Sequence, residues 1–414
     1  MRAGRLIAVA ILTWMVTELE QSATEQASTD ENRFRVVPRL LPHSSARHLS
    51  YGNPYREGAM ARKRNLSWTF AAGAAALGAA AVTGAGLLAG AAGKAIWDAI
   101  ATVPLSGKVV LITGASRGLG LAMAEECARQ GCRLAICGRD QQSLDRAQEE
   151  LRRAGAEVLA LRCDVGKRSE VEAMVETVLA QYGGIDVLIN NAGTIVVGPL
   201  SAQTPEDFEE AMNVMFWGAV HTTLSVLPHM LARRRGRIAN ITSIGGKIAV
   251  PHMLPYTAAK FALVGFSEGL TAELASQGVH VTTVVPGLMR TGSHLNAYFK
   301  GNNRAEYAWF GISASTPFLA MDASRAAKRV VQAIRRGEAE VVLGLPAKIA
   351  VFAHDLSPEV AVRVLSAANR LMPSASDPST DRHRGHMSES APTKSPLTAF
   401  GKRAAKRWNQ ERLA

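Results

Sequence analysis

From about residue 105 onward the chain alternates two kinds of apolar pattern. Runs of strand length, KVVLIT, RLAICG, EVLALRCD, IDVLINNAG, GRIANITS, HVTTVVPG and AEVVLG, concentrate β-branched and aliphatic residues. Between several of them, GLAMAEECARQG, DQQSLDRAQEELRRAG and SEVEAMVETVLAQYG space their apolar residues three and four apart, the period of a helix with one buried face. Strands joined through helices of this length require right-handed crossovers and a sheet covered on both sides. The pattern predicts an α/β fold over residues 105–345, a three-layer, doubly wound parallel sheet.

The flanks read differently. Residues 1–59 hold an apolar stretch from Leu6 to Val16 behind two arginines, then a polar, aperiodic tract that predicts disorder. Met60, followed by ARKRN, offers an alternative start that would place residues 1–59 upstream of the protein. Residues 60–104 set a basic flank, Arg62, Lys63 and Arg64, before an Ala/Gly-rich, apolar helical segment with no charge from Asn65 to Gly93. That run exceeds the ~20 residues needed to cross a bilayer. The basic flank would stay cytoplasmic, and a single span would carry everything downstream across. The expectation is membrane association through a hairpin or a surface helix, with the α/β domain in the cytoplasm; a soluble cytoplasmic protein with a plain Ala/Gly helix or linker is the alternative. An amphipathic helical extension is expected over 346–372, and a flexible linker with a basic terminal helix over 373–414.

Composition narrows the partners. The 414 residues are 47% hydrophobic, enough for one large domain with appendages. A net charge of +12 would suit nucleic acid or anionic lipid. The densest basic run, RRRGR at 233–237, falls where a helix ends and cations complement its dipole, so no nucleic acid is expected. Cys127, Cys132, Cys137 and Cys163 form no C-x-x-C pair and sit in helix or strand patterns, which predicts reduced, structural thiols. The histidines show no H-E-x-x-H or comparable spacing, and no metal is expected.

Two stretches carry chemistry. LITGASRGLG places Gly114, Gly118 and Gly120 between a strand and a helix, where a loop without side chains lets a diphosphate approach free helix N–H groups. The Gly-Lys-Ser/Thr ending of a nucleotide triphosphatase is missing, which disfavours phosphoryl transfer. Arg117 lies in the loop and Arg139 ends the second strand, where two guanidinium groups would pair with a 2′-phosphate and favour NADP(H) over NAD(H). Asp140, one residue later, would favour NAD(H) if it reached the ribose instead. YTAAK puts Tyr256 and Lys260 on one helical face, and the nearby cation would favour phenolate in a side chain whose pKa is ordinarily ~10. Ser243, at the end of GRIANITS, could hold a substrate oxygen beside that phenol.

From about 105 to 345 the chain resembles a short-chain dehydrogenase/reductase, a family with a Rossmann fold. The resemblance rests on TGASRGLG, with Ser116 and Leu119 among its glycines, on Asp164 and Val165 after the third strand, on NNAG with Asn191, Ala192 and Gly193, on Ser243, Tyr256 and Lys260, and on PGLMRT with Pro286, Gly287 and Thr291. It implies that Ser243 orients the substrate oxygen, Tyr256 is the general acid/base, and Lys260 lowers the phenol pKa and binds the nicotinamide ribose. It places Asp164 near the adenine, Asn191 and Gly193 in the cofactor cleft, and Pro286, Gly287 and Thr291 near the nicotinamide. It also implies a homo-oligomer.

One departure stands out. Where the family often carries an asparagine that completes a proton relay behind the lysine, alignment on Gly218 puts Met215, whose thioether is at most a weak acceptor. Asn213 is two residues earlier, about 200° around a helix. Residues 288–321 take the place of the family's substrate lid and contain Tyr298, Phe299, Tyr307, Trp309, Phe310 and Phe318. Such a lid suits a small apolar alcohol or ketone; the same rings could equally pack the lid onto the body. The expected function is an NADP(H)-dependent oxidoreductase acting on a secondary alcohol or ketone, and the alternative a membrane-associated dinucleotide-binding sensor or scaffold.

Overall fold

The computed structural model describes residues 102–374 and 379–411. The segments 1–59 and 62–93 discussed above lie outside the described residues. Seven strands form the central sheet: β1 (Val109–Thr113), β2 (Arg133–Gly138), β3 (Val158–Arg162), β4 (Val187–Asn190), β6 (Gly236–Ile241), β7 (Val279–Pro286) and β11 (Glu340–Leu343). All pair in parallel, in the order β11-β7-β6-β4-β1-β2-β3. The order reverses beside β1, and a crevice opens at the carboxyl ends of the strands there, where ligands bind in doubly wound sheets.

Helices cover both faces. On one side lie α1 (Gly118–Arg129), α2 (Gln141–Arg153) and α8 (Ala323–Arg336); on the other lie α3 (Arg168–Tyr182), α5 (Gly218–Ala232) and α6 (Leu254–Leu274). The sequence explains several of the boundaries. Asp140 caps α2 by accepting from the Ser143 amide at 2.9 Å, and Asp322 caps α8 through the amides of Ser324 and Arg325 at 3.0 and 3.2 Å. Gly183 and Gly337 end α3 and α8 in the left-handed conformation that a side chain would strain. Leu121, Leu144, Leu151 and Val330 fill one layer and Val171, Val178, Val226 and Met230 the other. Each such fully buried side chain contributes roughly 1.5–3 kcal/mol.

Around this sheet lie α4 (Pro205–Met212), which passes through a π-turn at Asn213–Trp217 into α5, and α7 (Asn303–Ser315). A second, small sheet joins β5 (Val196–Val197), β9 (Tyr298–Phe299) and β12 (His383–Arg384), while β8 (Met289–Arg290) pairs with β10 (Met321–Asp322). The chain ends in a helical extension: α9 (Leu345–Leu356), α10 (Pro358–Asn369) and, after β12, α11 (Ala399–Arg407). Residues 379–411, which by composition read as linker and basic helix, wrap back over the domain. Arg382 binds Asp207 and Glu210 on α4, and Trp408 is buried in the core layer beneath α1. Among the described residues no helix is long and apolar enough to cross a membrane.

Candidate active site

The glycine loop is shaped by contacts that leave no room for side chains. After Thr113 the chain turns through Gly114 at φ +64° and Gly118 at φ +62° into α1. A Cβ on Gly114 would fall 2.8 Å from the Ala192 Cα, and one on Gly120 would fall 2.3 Å from the Gly114 carbonyl oxygen. Thr113 Oγ1 accepts the amides of Asn191 and Ala192 at 2.9 and 3.0 Å, while Asn191 Nδ2 donates to the carbonyls of Thr113 and Gly114, both at 3.0 Å. The loop and the NNAG turn are therefore one braced unit. Its open side presents the first turn of α1, whose amides have no intrahelical partner and favour an anion.

That unit forms one wall of a cleft of about 580 Å³. Every residue singled out above as a candidate lines it: Gly114, Ser116, Arg117, Gly118, Leu119 and Gly120 from the loop; Arg139, Asp164 and Val165 from the ends of β2 and β3; Asn191, Ala192 and Gly193; Ser243, Tyr256 and Lys260; and Pro286, Gly287 and Thr291 after β7. The bare loop at a helix N-terminus, with Arg117 and Arg139 in the lining of the same cleft, fits a dinucleotide.

In the same cleft three polar side chains converge. Ser243 leaves β6 and caps a short 3-10 turn by accepting from the Gly245 amide at 3.0 Å. Tyr256 and Lys260 lie one turn apart on α6, with Lys260 Nζ 5.7 Å from the phenol ring centre. Gly245 and Gly246 let the turn press onto that helix, because a Cβ on Gly246 would fall 2.6 Å from the Lys260 carbonyl oxygen. Burial pushes the Tyr256 phenol above its ordinary pKa, and its hydrogen bond with Ser243 pulls in the opposite direction. Lys260 is only 4% exposed; burial pushes its ammonium down to about 7, and Nζ donates to the Ile241 carbonyl at 2.7 Å.

The short chain dehydrogenase family profile matches residues 108–298. The dehydrogenase/reductase SDR family protein 7-like of Drosophila melanogaster is 34% identical over 261 residues, which span 62% of this chain and 78% of that protein. The chain belongs to the short-chain dehydrogenase/reductase family. A family member from Burkholderia phymatum, solved in complex with NAD, superposes with a TM-score of 0.58 at 26% identity, over 62% of this chain and 96% of that one. A gluconate 5-dehydrogenase from Burkholderia cenocepacia, solved with NADP and tartrate, gives 0.53 at 26% identity, over 60% and 98%. This dehydrogenase/reductase is accordingly an NAD(P)-dependent oxidoreductase.

Several of its site features were not singled out in the sequence. Asn190 donates to Asn240 at 2.9 Å and to Thr223 at 3.1 Å, and Asn240 donates to Ser267 at 3.0 Å, a buried network tying β4 and β6 to α5 and α6. Isolated Asn, Thr and Ser residues inside apolar runs were its only signal. Met215 is buried where the alignment placed it, its sulfur 3.6 Å from where a Gly193 Cβ would lie. Asn213 faces elsewhere, against Gly166. Of the lid aromatics, Phe299, Tyr307 and Phe310 pack on one another, and only Tyr298 lines the cleft.

Proposed function

We propose that the enzyme is NADP(H)-dependent and interconverts a secondary alcohol and a ketone, with Ser243, Tyr256 and Lys260 as its catalytic residues. The observation that carries this reading is the convergence of those three side chains on the cleft that also holds the bare glycine loop. When bound, the nicotinamide accepts or supplies the hydride. Ser243, whose oxygen already accepts from the Gly245 amide, can turn its hydroxyl proton from the phenol to the substrate oxygen. Tyr256 gives its proton to that oxygen during reduction and removes it during oxidation, which requires the phenolate. The Lys260 ammonium, held by the Ile241 carbonyl, stabilises the phenolate.

Preference for NADP(H) is supported by Arg117 and Arg139 in the cleft lining, and by the engagement of Asp140 as the α2 cap. An apolar substrate is supported by Ile195, Met289 and Ala297 in the cleft lining, while Arg384, stacked 4.2 Å over the Tyr298 ring, adds a charge to the same lining. A homo-oligomer is favoured by the large apolar side chains that α5 and α6 expose, among them Leu224 and Phe261. Peripheral membrane association is a further reading, favoured by Leu345, Ile349, Phe352 and Leu356, which line up along one face of α9 with their side chains exposed. Flotation with phosphatidylcholine vesicles, repeated for Ile349→Glu/Phe352→Glu, tests it.

The test of function follows NADPH and NADH absorbance over a panel of apolar ketones and alcohols. Turnover that Tyr256→Phe abolishes is the expected result. Tight NADPH binding with no turnover across the panel would favour the sensor or scaffold instead.

A further inference from the structure

The turn at Trp408–Gln410 sits on the glycine loop. The Trp408 carbonyl accepts the Gly118 amide at 2.9 Å, occupying the first free N–H of α1. Asn409 donates from Nδ2 to the carbonyls of Ser116 and Ser143 at 2.8 and 2.9 Å, and its Oδ1 accepts from Arg146 at 2.8 Å. Arg407 bridges Glu125 on α1 and Glu150 on α2 at 2.6 and 2.7 Å. Gly292 admits α11 at close range, since a Cβ there would fall 2.3 Å from the Ala405 Cα. These contacts fix the position of the next residue, Gln410.

Gln410 lines the cleft and is 6% exposed. Its Oε1 accepts from Asn296 Nδ2 at 2.8 Å, which orients the carboxamide and leaves Nε2 as the outward donor. Nε2 lies 2.7 Å from where a Gly118 Cβ would be, and the Thr291 Cβ lies 3.9 Å from the same point. Among the described residues this NH2 group donates to no acceptor, although the side chain is more than nine-tenths buried. The NH2 group itself stays accessible from the cleft, aimed at the helix N-terminus where an anion is favoured.

Building on the dinucleotide-dependent reading above, we propose that Gln410 is a cofactor-binding residue, whose carboxamide donates from Nε2 to the diphosphate. The C-terminal segment thus takes one loop amide, that of Gly118, and returns a donor in its place. The amides of Leu119 and Gly120 remain for the same phosphates. A residue outside the α/β domain thereby closes the site, and the diphosphate lies between the loop and the tail.

The test titrates the full-length protein with NADP+ and, separately, with adenosine 2′-monophosphate, which lacks the diphosphate. It compares wild type with Gln410→Leu and with Gln410→Glu, which keeps the acceptor for Asn296 and sets a negative charge against the phosphates. Loss of a hydrogen bond to a charged group predicts that Gln410→Leu weakens NADP+ roughly tenfold, and Gln410→Glu further. Affinity for adenosine 2′-monophosphate stays at the wild-type value. Wild-type affinity for NADP+ in both variants overturns the assignment, as does equal weakening of both probes, which marks a structural brace. If the wild-type protein binds neither NADP+ nor NAD+, the functional reading falls and this inference with it. If wild type binds and the variants match it, this inference falls alone.

Discussion

Lys260 donates from Nζ to the Ile241 carbonyl oxygen at 2.7 Å, across the turn from β6 to α6. This one hydrogen bond fixes a nearly fully buried amine, which binds its proton below about 7 in the folded protein and below 10.5 in the free side chain. Between those values the unfolded chain holds more protons, so the group's contribution to stability rises with pH across that window. The melting temperature of wild type relative to Lys260→Met should therefore climb from pH 7 toward pH 10. A pH-independent difference would show that the amine is not perturbed by burial.

Met215 takes the place at which the family often supplies an amide behind the lysine. Met215→Asn should raise kcat for the Tyr256-dependent reaction, while adding a buried polar group costs roughly 1–3 kcal/mol of stability. An unchanged kcat at full folding would mean that the Ile241 carbonyl already serves the lysine adequately.

Arg139 is expected to meet the 2′-phosphate. Because a hydrogen bond to a charged group contributes roughly 1.5–3 kcal/mol, Arg139→Ser should raise KM for NADPH by roughly tenfold to a hundredfold, with KM for NADH nearly unaffected. Parallel changes for both cofactors would place the guanidinium elsewhere.

The sheet and the site were not equally legible. Strands such as VVLIT and GRIANI announce themselves because a central parallel strand is buried on both faces and its run is mostly apolar, Arg237 and Asn240 being buried exceptions. The glycine loop, Ser243, Tyr256 and Lys260 were legible because each sits at a junction that the alternation itself locates. Gln410 was not. Asn409, its neighbour, meets Ser116 across 293 residues through a single hydrogen bond, and no local period records such a contact. Which lid rings pack inward, as Phe299, Tyr307 and Phe310 do, and which line the cleft, as Tyr298 does, was not legible, because the two look alike in sequence.

Asp207 and Lys300 form an ion pair at 2.5 Å with both side chains essentially buried, and Arg382 supplies a second cation to the same carboxylate. Removing one partner leaves a charge without its closest counterion, so Lys300→Met should cost about 3 kcal/mol in chemical denaturation. A loss below about 1 kcal/mol would mean that Arg382 alone satisfies the carboxylate.

His294 lies in the lid, and burial, aided by Lys402, pushes its pKa down to about 4 from 6.5. The neutral ring's contribution is complete above pH 6.5 and is lost as the pH falls toward 4, amounting to about 3 kcal/mol across that interval. His294→Gln should therefore flatten the acid limb of the stability profile in this window, as read from melting temperature against pH.

The C-terminal wrap has a consequence for how the molecule is made. Residues 379–411 supply the antiparallel neighbour of β9, the cation that reaches Asp207 and the carbonyl that meets Gly118. A ribosome delivers these residues after every strand of the central sheet. The sheet can assemble before the tail emerges, but the mouth of the cleft takes its final shape only once the tail has packed. Synthesis thereby separates the building of the scaffold from the moment the enzyme becomes complete.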